Sequence, residues 1–372
     1  MQERKNTVLP SRDERLGVSP PDPTPAERAQ LRRAAEGLTG PRPHAFLRAL
    51  LGDWLTMAAV ILAMQLIWGG VLYWVLLPIA WIVLAARQHG ILVLLHDATH
   101  GLAHDDRRLN EWLGELACGA PLFVKMQTYR PDHLAHHQAL NGPEDPDWVR
   151  KLSDDDEARF WLFPRREGAS RFLAWSWIGS VRYLLRSFTH LSGDGASDDR
   201  AVDAGDDRRN APRRGAIATQ KLKRARLALY LGVAALLTVF GGWLQFLLLW
   251  AAPVLLVLPM IMRLRSIAEH FALPNTHAFN ASRTILCGSV ERFLFAPHQV
   301  AYHLDHHLQP YVAFSELPRL HERLMAMPRY RDEAKLNDGY FFGNRTLLGD
   351  MLRKAEPATG SECNERPLPS LT

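Results

Sequence analysis

Two long stretches of this chain carry no formal charge, one between Asp53 and Arg87 and the other between Arg226 and Arg263. No other feature restricts the fold as severely. A hydrocarbon core about 30 Å thick is crossed by a helix of roughly 20 residues, so each stretch is too long for one crossing and suits two. Each is interrupted near its middle by a glycine pair, Gly69-Gly70 and Gly241-Gly242, and glycine accepts the backbone angles of a tight helix–helix turn. The pattern predicts two helical hairpins, with spans at about 51–68, 71–95, 226–240 and 243–262. The competing reading is a pair of buried hairpins in a soluble core, and the charge-free length opposes it. So do Trp54, Trp68, Trp74, Trp81, Trp243 and Trp250, which lie toward the ends of the stretches, as indoles do at a membrane interface.

Lysine and arginine orient the hairpins. Arg42, Arg48, Arg87, Lys221, Lys223, Arg224, Arg226, Arg263 and Arg265 flank the stretches, and the glycine turns carry no cation. The positive-inside rule then places the flanks and both termini in the cytoplasm, in a bacterial inner membrane by expectation. The first 45 residues are polar and proline-rich, with no secretory signal. Cys118, Cys287 and Cys363 are widely separated, which argues against a disulfide scaffold or a thiolate metal site. The net charge of +5 fits the cytoplasmic bias and would favour an acidic redox partner.

Residues 1–45 are a disordered arm with one short helix at 26–36. Residues 46–355 form the membrane domain, and 356–372 are a disordered tail. The second helix continues to His96, roughly 13 Å beyond Arg87 at 1.5 Å per residue. Residues 109–128 are too short and interrupted to span, and suit an interfacial or re-entrant segment. Phe172, Trp175, Ile178, Val181, Leu185 and Phe188 recur at helical period and predict an amphipathic surface helix over 171–188. Residues 192–215 are a charged, low-complexity flexible loop. The expected fold is all-α and membrane-integral, with four spans and a helical cytoplasmic cap.

Sixteen histidines are present and most are grouped. HDATH holds His96 and His100; HLAHH holds His133, His136 and His137; HLDHH holds His303, His306 and His307. On a helix, positions i, i+3 and i+4 share one face, so each group can aim its imidazoles at a common point. Neutral imidazole ligates zinc, copper, iron and nickel. A catalytic zinc takes three protein ligands and a structural zinc four, so these eight imidazoles exceed one site and fit two metals. With no thiolates and ample nitrogen, a dioxygen-activating di-iron centre is the favoured reading.

The pattern HxxxH, HxxHH and a distant HxxHH, interleaved with two hairpins, resembles the membrane fatty-acid desaturase and hydroxylase superfamily. TYRPDHLAHHQALNGPEDPDW (128–148) resembles its second histidine box, and APHQVAYHLDHHLQPYVAFSELPRLHERL (296–324) its third. The resemblance covers about residues 50–330. It implies two non-haem irons held by His96, His100, His133, His136, His137, His303, His306 and His307, with His270 in RSIAEHF as a ninth ligand. Some relatives carry an asparagine four residues before that ninth histidine, acting through water; here the position is Ser266. Asp97, Asp132, Glu269 and Asp305 are candidates to hold imidazoles by their second N–H, as are Asp145 and Asp147. Arg130 is expected to pair with one of the last two or with a substrate headgroup. His104 and His298 are expected to support the site or lie at the surface, and His44, His89, His190, His277 and His321 to be structural.

The resemblance further implies a lipid or fatty-acyl substrate entering from the membrane through an apolar channel. It implies an external ferredoxin or cytochrome as electron donor, since no GxGxxG, cluster-binding cysteines or HPGG haem signature occurs. Retention of His303, where fused front-end desaturases commonly have glutamine, and the three residues between His96 and His100 both favour an acyl-lipid substrate. The alternative on the same scaffold is a hydroxylase or ketolase of a carotenoid, sphingolipid or alkane. A histidine-rich metal transporter would place ionisable groups inside the spans, which these lack. Nothing points to nucleic acid.

Overall fold

The computed structural model describes residues 20–152, 212–270 and 273–352. The surface helix expected over 171–188 lies outside these residues, as do the tail 356–372 and most of the loop 192–215. Among the described residues the chain is mostly helical. Three helices are long and apolar enough to cross a membrane: α2 (Pro43–Leu66), α3 (Val71–Thr99) and α6 (Trp243–His270). They follow a shorter α1 (Pro25–Ala34). Between α3 and α6 come α4 (Met126–Gln138) and α5 (Pro212–Val239). The last two helices needed here are α7 (His303–Leu308) and α8 (Leu317–Met325).

The glycine pairs turn the chain between α2 and α3 and between α5 and α6. Gly69 (φ +84) and Gly241 (φ +63) adopt left-handed angles that side chains disfavour. Around the turns large apolar side chains stand outward, including Leu66 (80% exposed), Val71 (81%) and Phe240 (79%). Continuous with Leu62, Val75 and Ile79, they make an apolar exterior that suits lipid better than water. Inside, Met57, Leu84, Leu94, Leu95, Leu249 and Leu258 form a core between α2, α3 and α6.

The helices outrun the charge-free stretches. α2 begins at Pro43 rather than near residue 51, α3 runs to Thr99, and α5 starts at Pro212, well before residue 226. Residues 212–215, expected in the flexible loop, are thus helical. α6 reaches His270 through two wide π-helical turns, Leu247–Ala251 and Pro253–Val257. Pro253 has no N–H to donate, and π turns are a common response to such an interruption. Side chains of α3 bond carbonyls of the first wide turn: Trp81 Nε1 donates to Leu248 O (2.6 Å) and Gln88 Nε2 to Trp250 O (3.2 Å). Residues 107–125 do not span. A short helix, Arg107–Trp112, and a π-helical segment, Leu113–Gly119, pack on α3 and are tied to α5 by the buried pair Arg226–Glu115 (2.6 Å).

The arm expected to be disordered over 1–45 is ordered from residue 20 onward. Thr24 and Glu27 form a reciprocal capping box that starts α1. Leu31 and Leu38 then bury against Leu317, Leu320, Leu324 and Tyr330. Arg323 donates to Ala34 O (3.0 Å) and Glu36 O (2.7 Å), and Arg42 pairs with Glu316 (3.3 Å). Composition suggested disorder because the apolar partners lie nearly three hundred residues away. A two-stranded parallel ladder, β1 (Arg283–Ile285) with β2 (Lys335–Asn337), braces the segment before α7.

Candidate metal centre

All nine histidines expected as ligands converge, and they do so in two groups. His96, His100, His133, His137 and His306 bring ring nitrogens within 4.8 Å of one another, and His136, His270, His303 and His307 do the same. The groups adjoin: the rings of His137 and His307 lie 4.3 Å apart. Helical register divides the boxes. α4 sends His133 and His137 (i, i+4) to the first group and His136 to the second, while α7 sends His303 and His307 to the second and His306 to the first. α3 ends on the first group with His96 and His100, and α6 ends on the second with His270.

The spacing fits a metal ion. His100 Nε2 lies 2.9 Å from His133 Nε2 and His137 Nε2 lies 3.1 Å from both His133 Nε2 and His306 Nε2. In the second group His303 Nε2 is 2.9 Å from His270 Nε2 and 3.0 Å from His307 Nε2. Ligands about 2.1 Å from a shared ion and at right angles would be separated by about 3 Å. His96 Nε2 is buried without a hydrogen-bond partner among the described residues. Burial favours the neutral imidazole that ligation requires. It holds His133, His303, His306 and His307 well below the ordinary histidine range, His100 at about 4 and His137 at about 2.

The supporting acids divide unevenly. Asp145, fully buried, accepts His136 Nδ1–H at 2.7 Å and the backbone N–H groups of Asn141, Asp147 and Trp148. It therefore holds the tautomer that leaves His136 Nε2 free. Glu269 pairs with Arg265 and reaches 3.5 Å from His303 Nδ1. Asp97 sits beside His96 (3.8 Å) and accepts Phe314 N–H (3.0 Å). Asp305 does not hold an imidazole of the two groups: it accepts Thr284, His321 Nδ1 (3.0 Å) and Tyr330 OH (3.0 Å). Asp132 is exposed. Arg130, expected to pair with an acid of EDPD or a headgroup, instead grips Glu111 (2.7 Å) and caps the end of α3 by donating to Thr99 O and Ala98 O. Open carbonyls at a helix C-terminus attract a guanidinium more strongly than an acid already taken by four donors.

Among the other histidines, His104 Nδ1 accepts Asp106 N–H in a turn and His277 pairs with Glu333. His298 belongs to a buried cluster that local reading misses. Asp53 takes Arg87 (3.0 Å) on one oxygen and His298 Nε2 (2.7 Å) on the other. His298 (φ +50) and Gln299 (φ +57) are consecutive left-handed residues, a costly backbone held by this anchor just before the third box. A signal existed: Asp53 and Arg87 are nearly equidistant from Gly69-Gly70, so a hairpin returns them to one level.

Adjoining all-imidazole groups at the ends of helices long and apolar enough to cross a membrane define a protein able to hold two metal ions. The sequence profile of fatty acid desaturases matches residues 72–335, and the chain belongs to that family. It is also similar to dihydrorhizobitoxine desaturase of Bradyrhizobium elkanii, at 26% identity over 275 residues, covering 72% of this chain and 73% of that protein.

Proposed function

We propose that this chain is a di-iron, dioxygen-dependent lipid oxidoreductase of the membrane, acting as a fatty-acyl desaturase that introduces a cis double bond. The observation that carries the reading is the convergence of nine ring nitrogens into two adjoining groups. Iron bound there would supply, with dioxygen, an oxidant able to take hydrogen from an unactivated methylene. His96, His100, His133, His137 and His306 would hold one ion, and His136, His270, His303 and His307 the other. Asp145 and Glu269 orient His136 and His303, and Arg130 fixes the end of α3 that carries His96 and His100. The family and the desaturase relative favour loss of two hydrogens over insertion of oxygen.

The same reading sets α5 and α6 as the second of two hairpins, with the metal-bearing cap and both termini in the cytoplasm of a bacterial inner membrane. Electrons come from an external ferredoxin or cytochrome. Expression in a lipid-producing host, with product analysis by mass spectrometry, tests it. A new double bond is expected; an added hydroxyl or keto oxygen would instead select the hydroxylase or ketolase alternative. Fewer than two irons per loaded chain, or activity that survives H136A and H306A, overturns the di-iron reading.

A further inference from the structure

The loop after β2 carries two outward phenylalanines, and the chain is built to hold them there. Phe342 is 73% exposed and Phe341 stands partly exposed beside it. Glu291, itself 3% exposed, accepts the backbone N–H groups of Tyr340 (3.2 Å), Phe341 (2.6 Å) and Phe342 (3.2 Å). A side chain at Gly339 would collide with Phe342 O and with that carboxylate, and Gly343 (φ +136) takes an angle that other residues rarely adopt. Fixing a phenylalanine in water loses conformational entropy and gains no burial. An ordered, outward pair is therefore explained by an apolar medium over it.

The position of the pair indicates which medium. The ring of Phe341 packs on Phe295 (centroids 5.6 Å apart), at the end of the short helix Ser289–Phe295. That helix turns Glu291 inward and leaves Val290 (68% exposed) and Phe293 outward one turn apart, with Leu286 exposed just before it. Arg87 fixes the level: its guanidinium lies 4.0 Å over the Phe293 ring, donates to Phe293 O and pairs with Asp53 (3.0 Å). Asp53 and Arg87 bound the first charge-free stretch, so Phe293 stands where hydrocarbon would give way to headgroups. Leu294 packs into the core between α2, α3 and α6, and Leu51 and Leu55 continue the apolar exterior of α2 at this level. Charges on the two segments are engaged: Glu291 by the loop, Arg292 by Cys287 O (3.1 Å) and Arg345 by Asp338 (3.4 Å).

We propose that Leu286, Val290, Phe293, Phe341 and Phe342 form a platform that inserts into the lipid interface on the side of the histidine groups. The partner is the bilayer itself, engaged by apolar side chains rather than by headgroup charge. Segments of this kind settle about 5–10 Å into the boundary between headgroups and acyl chains. The platform ends three residues before His298, so the stretch leading to the third box is tied to lipid. Beyond that box, α8 ties the chain to α1. The proposal rests on the membrane placement above and on neither the metal nor the reaction.

The test uses the full chain carrying C363S, reconstituted at one copy per nanodisc, with single cysteines labelled by bimane. F342C and V290C probe the platform, L62C on the exposed face of α2 probes the hydrocarbon, and R319C on the exposed face of α8 probes water. Cys118 and Cys287 are buried, and C363S without an added cysteine measures their background. Quenching by lipid with a nitroxide high on its acyl chain is compared with quenching by aqueous iodide. Labels at 342 and 290 should be quenched by the nitroxide at least about twofold more than the label at 319, and by iodide at least about twofold less. Thermal unfolding is measured on each variant, and if one platform position fails to fold the other decides. Iodide quenching equal to that at 319 puts the patch in water and overturns the proposal. Protection from both quenchers puts another part of the chain over the patch and overturns it as well. In either case a label at 62 that nitroxide lipid quenches leaves the membrane reading intact, whereas one it does not reach overturns that reading instead.

Discussion

Replacing Asp145 by asparagine should uncouple the two metal pockets. The carboxylate receives four donors, two on each oxygen: His136 Nδ1–H at 2.7 Å and Asn141 N–H at 2.9 Å on one, Asp147 N–H at 2.9 Å and Trp148 N–H at 3.1 Å on the other. Asparagine offers one acceptor oxygen, so either orientation of its amide leaves two donors facing an NH₂ group. Hydrogen bonds to a charged acceptor contribute about 1.5–3 kcal/mol each, so D145N should cost about 3 kcal/mol or more of stability. With the NH₂ toward His136, the ring is driven to accept at Nδ1 and carry its proton on Nε2, which removes the ligand lone pair. Partners of this kind alter metal affinity by roughly 10–100-fold when lost. The assay is anaerobic equilibrium dialysis of purified protein against buffered Fe(II), with bound metal measured per chain. Half of the binding isotherm should shift to higher free iron by about 10–100-fold, and the half belonging to the first group, none of whose members bonds Asp145, should stay in place. An unshifted isotherm, or equal displacement of both halves, would refute the reasoning.

The metal-free protein should lose stability in acid. The folded-state pKa values of His100 (about 4) and His137 (about 2) are held down by burial, whereas an unfolded histidine titrates near 6.5. The unfolded chain therefore binds more protons below about pH 6.5, and Tm should fall progressively from there toward pH 4; a Tm that rises on acidification contradicts this. G90A should destabilise by about 1–3 kcal/mol, because the added methyl would meet the Asp53 carboxylate, which Arg87 and His298 hold in place; an unchanged denaturation midpoint would show the cluster to be loose. L31A should cost about 2–5 kcal/mol, since Leu31 is 3% exposed against α8; a disordered arm would leave Tm unmoved.

What could be read in the chain beforehand was whatever is encoded locally. The histidines of each box lie within about one helical turn, which keeps them together, but the expected common point did not hold for the second and third boxes, whose members α4 and α7 divide between the two groups. His270, which lies outside the boxes, was reachable only through the family resemblance, which implies a ninth histidine after the last span. The turns were legible because Gly69 and Gly241 are required by their backbone angles. Partners chosen across the chain were not legible. Asp145 and Asp147 look equivalent in EDPD, yet the turn at Gly142–Asp145 buries one and leaves the other its neighbour. Arg130 found Glu111 and the end of α3 rather than those acids, and His298 found Asp53 across 245 residues. Helix ends were misjudged for a related reason. Charge does not mark the start of a helix here: Lys221, Arg224 and Arg226 lie within α5, where long side chains can reach water or a buried acid without breaking the helix.

The docking of α1 onto α8 also sets a timetable for assembly. Residues 25–34 are synthesised long before Leu317 and Tyr330 exist, so this early helix waits, unsupported, while the long helices are made. Short helices are marginal on their own, and closing a loop of this length is entropically slow. The contact that clasps the third histidine box therefore forms near the end of biogenesis, and both pockets draw ligands from α7, which is itself made late. A metal ion held by both groups could enter only a nearly finished chain, and nascent or truncated products should emerge metal-free and open to proteolysis.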